Sequence, residues 1–423
     1  MKYKKKFTVY IFNILFCFFP ISIIIGNQAI NITSILIIIF TFLIYKKNIF
    51  KFEISFFDKV IFFLFFYILF VMIINIVESQ IMVEKINSIM VTKSLFFFKY
   101  LILYLVLRFL FSKKIIKFKI FYIICATSAV IVSIDLFIQY FFGKNLIGLL
   151  PISERHYSGF FGQELIAGGF IQKFSLFAIL LPFIFFKKEY YRNFSLITLF
   201  ALFLLGIILS GNRMPLFLYL TSILMFILIN NKYKKYFIKF FLSLSLFLLI
   251  LFYTLEQFQL NTLNFYGRSK NLISTFFISD LASQPSSVVN RPYVVEFYCG
   301  KQAIKENPIF GGGIRSSRTL WGGCSSHPHN YFLEITAELG FVGLIMIVFL
   351  SYKLFLDVFR KFFYNFKNIN QKILKISPPF LILVMEFFPF RSSGSFFTTG
   401  NSTIIFITLA MLISFEKTRY INK

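Results

Sequence analysis

Apolar runs of roughly 17–25 residues, long enough to cross a bilayer as helices, recur along this 423-residue chain, with short basic clusters between them. Inside a bilayer every backbone polar group must be satisfied within the protein, so spanning segments are helices or closed barrels. With 58% hydrophobic residues, the pattern excludes an ordinary soluble domain. Phenylalanine takes 66 positions, and with the lysine excess this reads as an AT-rich coding bias rather than as chemistry. The opening Met1-Lys2-Tyr3-Lys4-Lys5-Lys6 before an apolar run has the form of a signal peptide. No small-residue cleavage site follows, so it is expected to be a retained first span.

Length and flanking charge predict about twelve spans: roughly 7–25, 29–45, 60–77, 89–108, 118–142, 164–186, 193–210, 214–229, 240–255, 335–356, 377–390 and 400–415. The clusters Lys46-Lys47, Lys113-Lys114, Lys187-Lys188, Lys234-Lys235, Arg360-Lys361 and Lys417 fall on every second connection. By the positive-inside rule both termini are then cytoplasmic. The expected fold is an all-α integral membrane protein with one long periplasmic loop domain, 256–334, between the ninth and tenth spans. It divides into 1–194 (the first six helices), 195–350 (a core including that loop) and 351–423 (the C-terminal helices). The net charge of +27 belongs to this topology. No nucleic-acid partner is expected, because the chain has no basic, aromatic-studded soluble face.

Arginines sort differently from lysines. Arg155, Arg213, Arg268, Arg291, Arg315, Arg318 and Arg391 fall on the outer side, where they have no topogenic use. His156, His327, His329 and Trp321 fall there too. Arginine is the better bidentate partner for phosphate and carboxylate, so the chemistry is expected on that face.

The densest polar signal is His327-Pro328-His329-Asn330, which leads into an apolar helix. Asn330, Glu334 and Glu338 follow at i, i+4 and i+8 and share a helix face. An imidazole titrating near neutrality at a helix N-terminus can activate a hydroxyl and hold an anion. A two-histidine metal site is the rival reading, but it lacks a third ligand at a diagnostic spacing. Gly311-Gly312-Gly313 can bring backbone N–H groups to an anion. Arg213 stands on a very short turn, Ser210-Gly211-Asn212-Arg213, where it either meets an anionic headgroup or snorkels. Lys173 and Asp135 lie inside spans, where they either pair with each other or mark a functional path. Cys299 and Cys324 share the long loop, and a periplasm permits a disulfide there.

Three stretches together resemble the O-antigen ligase and polymerase family, membrane glycosyltransferases that use lipid-diphosphate sugars. They are Ser-x-x-Arg at 210–213, Arg291 with Pro308-Ile309-Phe310-Gly311-Gly312-Gly313, and His-Asn-x-x-Leu-Glu-x-x-x-Glu-x-Gly-x-x-Gly at 329–343. The stretches around Arg155–Ala167 and Phe388–Thr398 resemble two further family elements. The resemblance implies His329, Arg213 and Arg291 as catalytic residues. It implies Arg155, His327, Asn330, Glu334 and Arg391 as substrate-binding residues, with Glu338 packing the helix end. It further implies transfer of a glycan from an undecaprenyl-diphosphate-linked donor to a sugar hydroxyl of lipid A-core. The expected reaction inverts the anomeric centre on the periplasmic face of the inner membrane, among membrane lipids, with no metal or other cofactor. A repeat-unit polymerase with a lipid-linked glycan acceptor is the alternative within the family. A polysaccharide or lipid transporter or flippase is the alternative of another class.

Overall fold

The computed structural model describes residues 2–81, 88–153, 156–229, 237–254, 256, 259–260, 262–263, 294–318, 327–360 and 371–417. Their regular structure is helical, with no strand among the described residues beyond an isolated bridge between Ser153 and His156. In chain order the helices are α1 (Lys2–Cys17), α2 (Phe19–Ile25), α3 (Asn27–Tyr45), α4 (Phe56–Ile81), α5 (Ser88–Phe97) and α6 (Lys99–Ser112). Then follow α7 (Phe118–Phe142), α8 (Ala167–Phe174), α9 (Leu181–Phe185), α10 (Glu189–Leu209), α11 (Arg213–Ile229) and α12 (Phe237–Thr254). The last four are α13 (Val294–Glu306), α14 (Tyr331–Val358), α15 (Gln371–Glu386) and α16 (Thr399–Lys417).

Eight helical stretches among the described residues are long and apolar enough to cross a membrane, against an expected twelve. Arg213–Leu228, Ser245–Thr254 and Thr399–Phe415 are apolar but shorter, and α15 carries Pro378 and Pro379 in its interior. The chain is a multi-pass membrane protein.

Lipid tails are as apolar as leucine, so helices in a bilayer associate through close packing and internal polar bonds. Phenylalanine supplies the packing. Phe16 meets Phe19, Phe111 and Phe121, and Phe65 stacks on Phe97 at 5.5 Å while also touching Phe406. Polar bonds fix the frame. At the start of α4, Asp58 is fully buried and takes Arg108 Nε at 2.8 Å and Nη2 at 3.0 Å. Tyr104 also donates to it, and Arg108 Nη1 reaches Ser414 Oγ at 2.7 Å. One buried ion pair thus ties α4, α6 and α16 together.

Two helices have backbone groups that their own turns do not satisfy. In α15, Pro379 has no N–H for the carbonyl of Lys375, and Tyr122 of α7 donates its hydroxyl to that carbonyl instead. In α14 the helix breaks at Gly340, whose φ of 67° and ψ of −176° are non-helical. The turn after α13 fills the break. Gly312 and Gly313 donate their N–H groups to the carbonyls of Ala337 (3.2 Å) and Glu338 (2.9 Å). Phe341 and Val342 donate to the carbonyls of Pro308 (2.8 Å) and Ile309 (3.3 Å). Tyr67 completes the set with a 2.8 Å bond to the Leu339 carbonyl. The sequence reading had these glycine amides facing an anion; two of the three are given to the broken helix instead.

Candidate active site

The site forms where the N-terminus of α14 meets the turn between α15 and α16. Asn330 caps α14 in extended geometry, its Oδ1 accepting the Leu333 N–H at 3.0 Å. The same side chain donates to the carbonyls of Pro389 (2.9 Å) and Arg391 (3.0 Å). One turn on, Glu334 accepts from Ser395 Oγ (2.6 Å), the Phe396 N–H (2.7 Å) and Arg318 Nη2 (2.9 Å). Cap and carboxylate therefore join the helix start to the 388–396 turn.

Beneath that turn lies a buried ionic network. Glu386 pairs with Lys173 Nζ at 3.0 Å and Arg391 Nη1 at 2.8 Å, and it accepts the Tyr331 hydroxyl at 2.7 Å. Lys173 also donates to Asn401 Oδ1 at 2.7 Å, and Asn401 returns to the Ser395 carbonyl at 2.9 Å. The Arg391 guanidinium lies 4.6 Å over the Tyr331 ring. Burial opposes the charge on Arg391, but Glu386 and Tyr331 outweigh it and raise its pKa. Lys173 and Asp135 do not pair. Asp135 accepts instead from the Leu146 N–H and from Asn145. Gln139, on the same helix, takes the Gly159 N–H, so this face of α7 anchors the 145–159 loop.

Just before the cap, the rings of His327 and His329 lie 4.1 Å apart. His329 adopts a φ of 55°, the left-handed region, which sets its ring at the mouth of the helix. Pro328 packs against α13, where a Cβ on Gly300 would sit 3.2 Å from its ring. Burial, then His329, Arg318 and Arg315, push His327 down to about 3. Burial and Arg318 push His329 down to about 4. Both rings are therefore neutral at pH 7, which corrects the expectation of an imidazole titrating near neutrality. The cause is a basic, partly desolvated pocket.

Arg213 opens α11 directly after the Ser210–Asn212 turn. That turn is pressed against α8, where a Cβ on Gly168 would meet Ser210 Oγ and lie 2.9 Å from Asn212. Helix α11 also packs on α15, and Phe217 touches Phe388 at 5.5 Å. The structure thus brings the 158–168 stretch, the Arg213 turn, the 388–398 turn and the His327–Glu338 segment into one region. His156 closes a local turn with Ser153 at 3.1 Å. Arg155, Arg291, Trp321 and Cys324 lie outside the described residues. Cys299 is disulfide-bonded, whereas Cys17 and Cys125 are free. Sequence reasoning missed Glu386, Tyr331, Ser395 and Asn401. A carboxylate ending an apolar run one residue before Phe387-Phe388-Pro389 was the available signal for the first.

These features define a polytopic helical membrane protein with a desolvated histidine pair and buried arginines at one end of its bundle. Residues 198–348, the segment that holds Arg213, His327 and His329, match the family model described as O-antigen ligase. A protein of Rickettsia conorii named "Putative polysaccharide ligase" is 36% identical over 104 residues, covering 21% of this chain and 25% of that protein. A Rickettsia felis protein of the same name is 37% identical over 87 residues, covering 17% and 21%. The chain spans about a quarter of the length of the curated relatives it matches.

Proposed function

We propose that this protein is an O-antigen ligase-like glycosyltransferase, moving a glycan from undecaprenyl diphosphate to a sugar hydroxyl of lipid A-core on the periplasmic face. The observation that carries the reading is the neutral, partly buried His327–His329 pair at the start of the broken helix, inside the family-matched segment. A neutral imidazole is the proton-accepting form. As a diphosphate dianion arrives beside it, the ring's affinity for a proton rises, so His329 gains basicity when substrate is bound. It then accepts the proton of the acceptor hydroxyl, or orients that hydroxyl, during attack at C1. Arg213 and Arg291 hold the diphosphate and neutralise the leaving group as the C1–O bond breaks. Attack from the face opposite that bond inverts the anomeric centre, and the donor supplies the energy.

Arg155, His327, Asn330, Glu334 and Arg391 keep a binding role in this scheme. Asn330, Glu334 and Arg391 exert it by shaping the 388–396 turn, to which their polar groups are bonded. An apolar groove of about 570 Å³ between α4 and residues 306–311, lined by Ile73, Ile81, Pro308 and Phe310, offers the prenyl chain a lateral approach.

A repeat-unit polymerase differs only in its acceptor. The test is a gene deletion rescued with wild type or with Arg213→Ala, Arg291→Ala or His329→Ala. Lipopolysaccharide gels are read beside extracted lipid-linked glycans. Full-length chains stranded on the carrier, with bare core, mean ligase; single repeats on core mean polymerase. Complete rescue by all three variants removes the catalytic assignment and turns the reading toward transport.

A further inference from the structure

Lys93, Arg315 and Arg318 form a basic cluster to which the proposed reaction gives no role. Three elements assemble it. Gly313 lies against α5, where an added Cβ would sit 2.7 Å from Met90 Cγ. Lys93 is three residues beyond Met90 and so faces the same side of that helix. Arg315 follows Gly313 with a φ of 70°, and the Arg318 N–H bonds the Arg315 carbonyl at 3.1 Å. Arg315 and Arg318 both lie within electrostatic reach of Lys93 and of His327.

The local polar groups are incompletely matched. Arg318 Nε and His327 Nε2 are buried and have no hydrogen-bond partner among the described residues. Buried polar atoms are ordinarily bonded, and an orphan calls for a missing partner. Three cations face two carboxylates, Glu334 and Glu338. Glu334 is already filled by Ser395, Phe396 and Arg318. Glu338 is fully buried, and neither of its oxygens has a hydrogen-bond partner among the described residues. It lies within electrostatic reach of Arg315 and Arg318.

Other elements assemble this cluster than those that hold Arg213. Arg318 reaches across to Ser395 (3.2 Å) and Glu334, whereas Arg213 heads a helix that packs on α8 and α15. Guanidinium forks suit the oxygens of phosphate.

We propose that Lys93, Arg315 and Arg318, with His327, form a second anion subsite that binds a phosphate group of a substrate. The transferase reading enters only in asking which substrate carries that phosphate. The first test is independent of it. Purified full-length protein in detergent is titrated with inorganic phosphate and inorganic diphosphate at low ionic strength, followed by phosphorus NMR. Wild type is expected to bind diphosphate, and the double variant Lys93→Gln/Arg315→Gln at least tenfold more weakly. Lys93→Arg is expected to keep the affinity and Arg213→Gln to leave this binding in place. Unchanged binding by a folded double variant overturns the subsite, as does loss of all binding in Arg213→Gln alone.

The second test is a transfer assay with separated substrates. A raised KM for the acceptor in the double variant assigns the phosphate to the acceptor, and a raised KM for the donor assigns it to the diphosphate. Neither KM rising, with wild type active, overturns the subsite as a substrate site. Absent transfer by wild type with diphosphate binding intact sinks the transferase reading and leaves the subsite standing.

Discussion

His329 combines a left-handed backbone, a neighbouring ring 4.1 Å away and a basic surround. Its pH behaviour follows. An imidazole with the ordinary pKa near 6.5 would lose about tenfold of its neutral form between pH 7.5 and 5.5. Pushed down to about 4, His329 stays neutral across that range. The kcat/KM of the transfer reaction, which reports the free enzyme, is expected to hold from pH 7.5 to 5.5 as far as this residue controls it. A tenfold fall with a midpoint near 6.5 that persists in a His327→Gln variant would contradict the assignment. Linkage gives a second consequence. The unfolded chain takes up protons near pH 6.5 that His329 and His327, both partly buried, refuse until about 4 and about 3, so stability falls as pH drops through that interval. Thermal melts of His327→Gln should lose part of this slope. Glu386 makes a stability prediction of its own. Glu386→Gln leaves Lys173 and Arg391 buried without their carboxylate and is expected to cost about 3–5 kcal/mol, read as a lowered melting midpoint in detergent. The sequence displayed Lys173 as a suspicious intramembrane charge, with Asp135 as one of two readings, but not its actual partners, because the residues that meet it come from more than two hundred positions away.

At the scale of elements, glycine explains why α14 is broken rather than bent. Gly340 and Gly311 both hold positive φ, and an added Cβ on either would run into the other segment's backbone. Gly340→Ala or Gly311→Ala is expected to destabilise by at least ~2 kcal/mol, combining left-handed strain with displaced backbone. Gly400→Ala, with open space around its Cβ and no positive φ, is the tolerated control. Folded yield by detergent size-exclusion profile separates them. Tyr122→Phe should cost about 0.5–1.5 kcal/mol by removing the hydroxyl that bonds the Lys375 carbonyl. The motif spacing around 308–343 was legible in the sequence. Its structural role was not. A glycine run that cradles an anion and one that plugs a helix use the same residues, and only the partner carbonyls tell them apart.

For the whole molecule, the helical, multi-pass character followed from run length and charge placement alone. Among the described residues eight of the expected spans reach full length, and short apolar helices such as α16 meet the apolarity of a span but not its length. Arg108 shows why charge sorting has limits. It stands five residues before the topogenic pair Lys113-Lys114, yet it is 1% exposed and bonded to Asp58. Asp58→Asn and Arg108→Met are each expected to cost about 3–5 kcal/mol, whereas Asp58→Leu combined with Arg108→Met should cost less than the sum. A double-mutant cycle on thermal unfolding measures the difference.

The interlock at Gly340 also bears on how the chain is made. Ala337 and Glu338 carbonyls and Phe341 and Val342 amides are satisfied by residues 308–313, and each would cost several kcal/mol left bare in hydrocarbon. Helix α14 is therefore not a self-sufficient span. The turn that completes it is synthesised first and is already waiting when α14 leaves the ribosome. Tyr67, which seals Leu339, is older still by 272 positions. Maturation of the histidine-bearing end is thus a late docking event, and a nascent chain stopped before α14 carries every other helix of the frame except α15 and α16, but no mouth for its histidines.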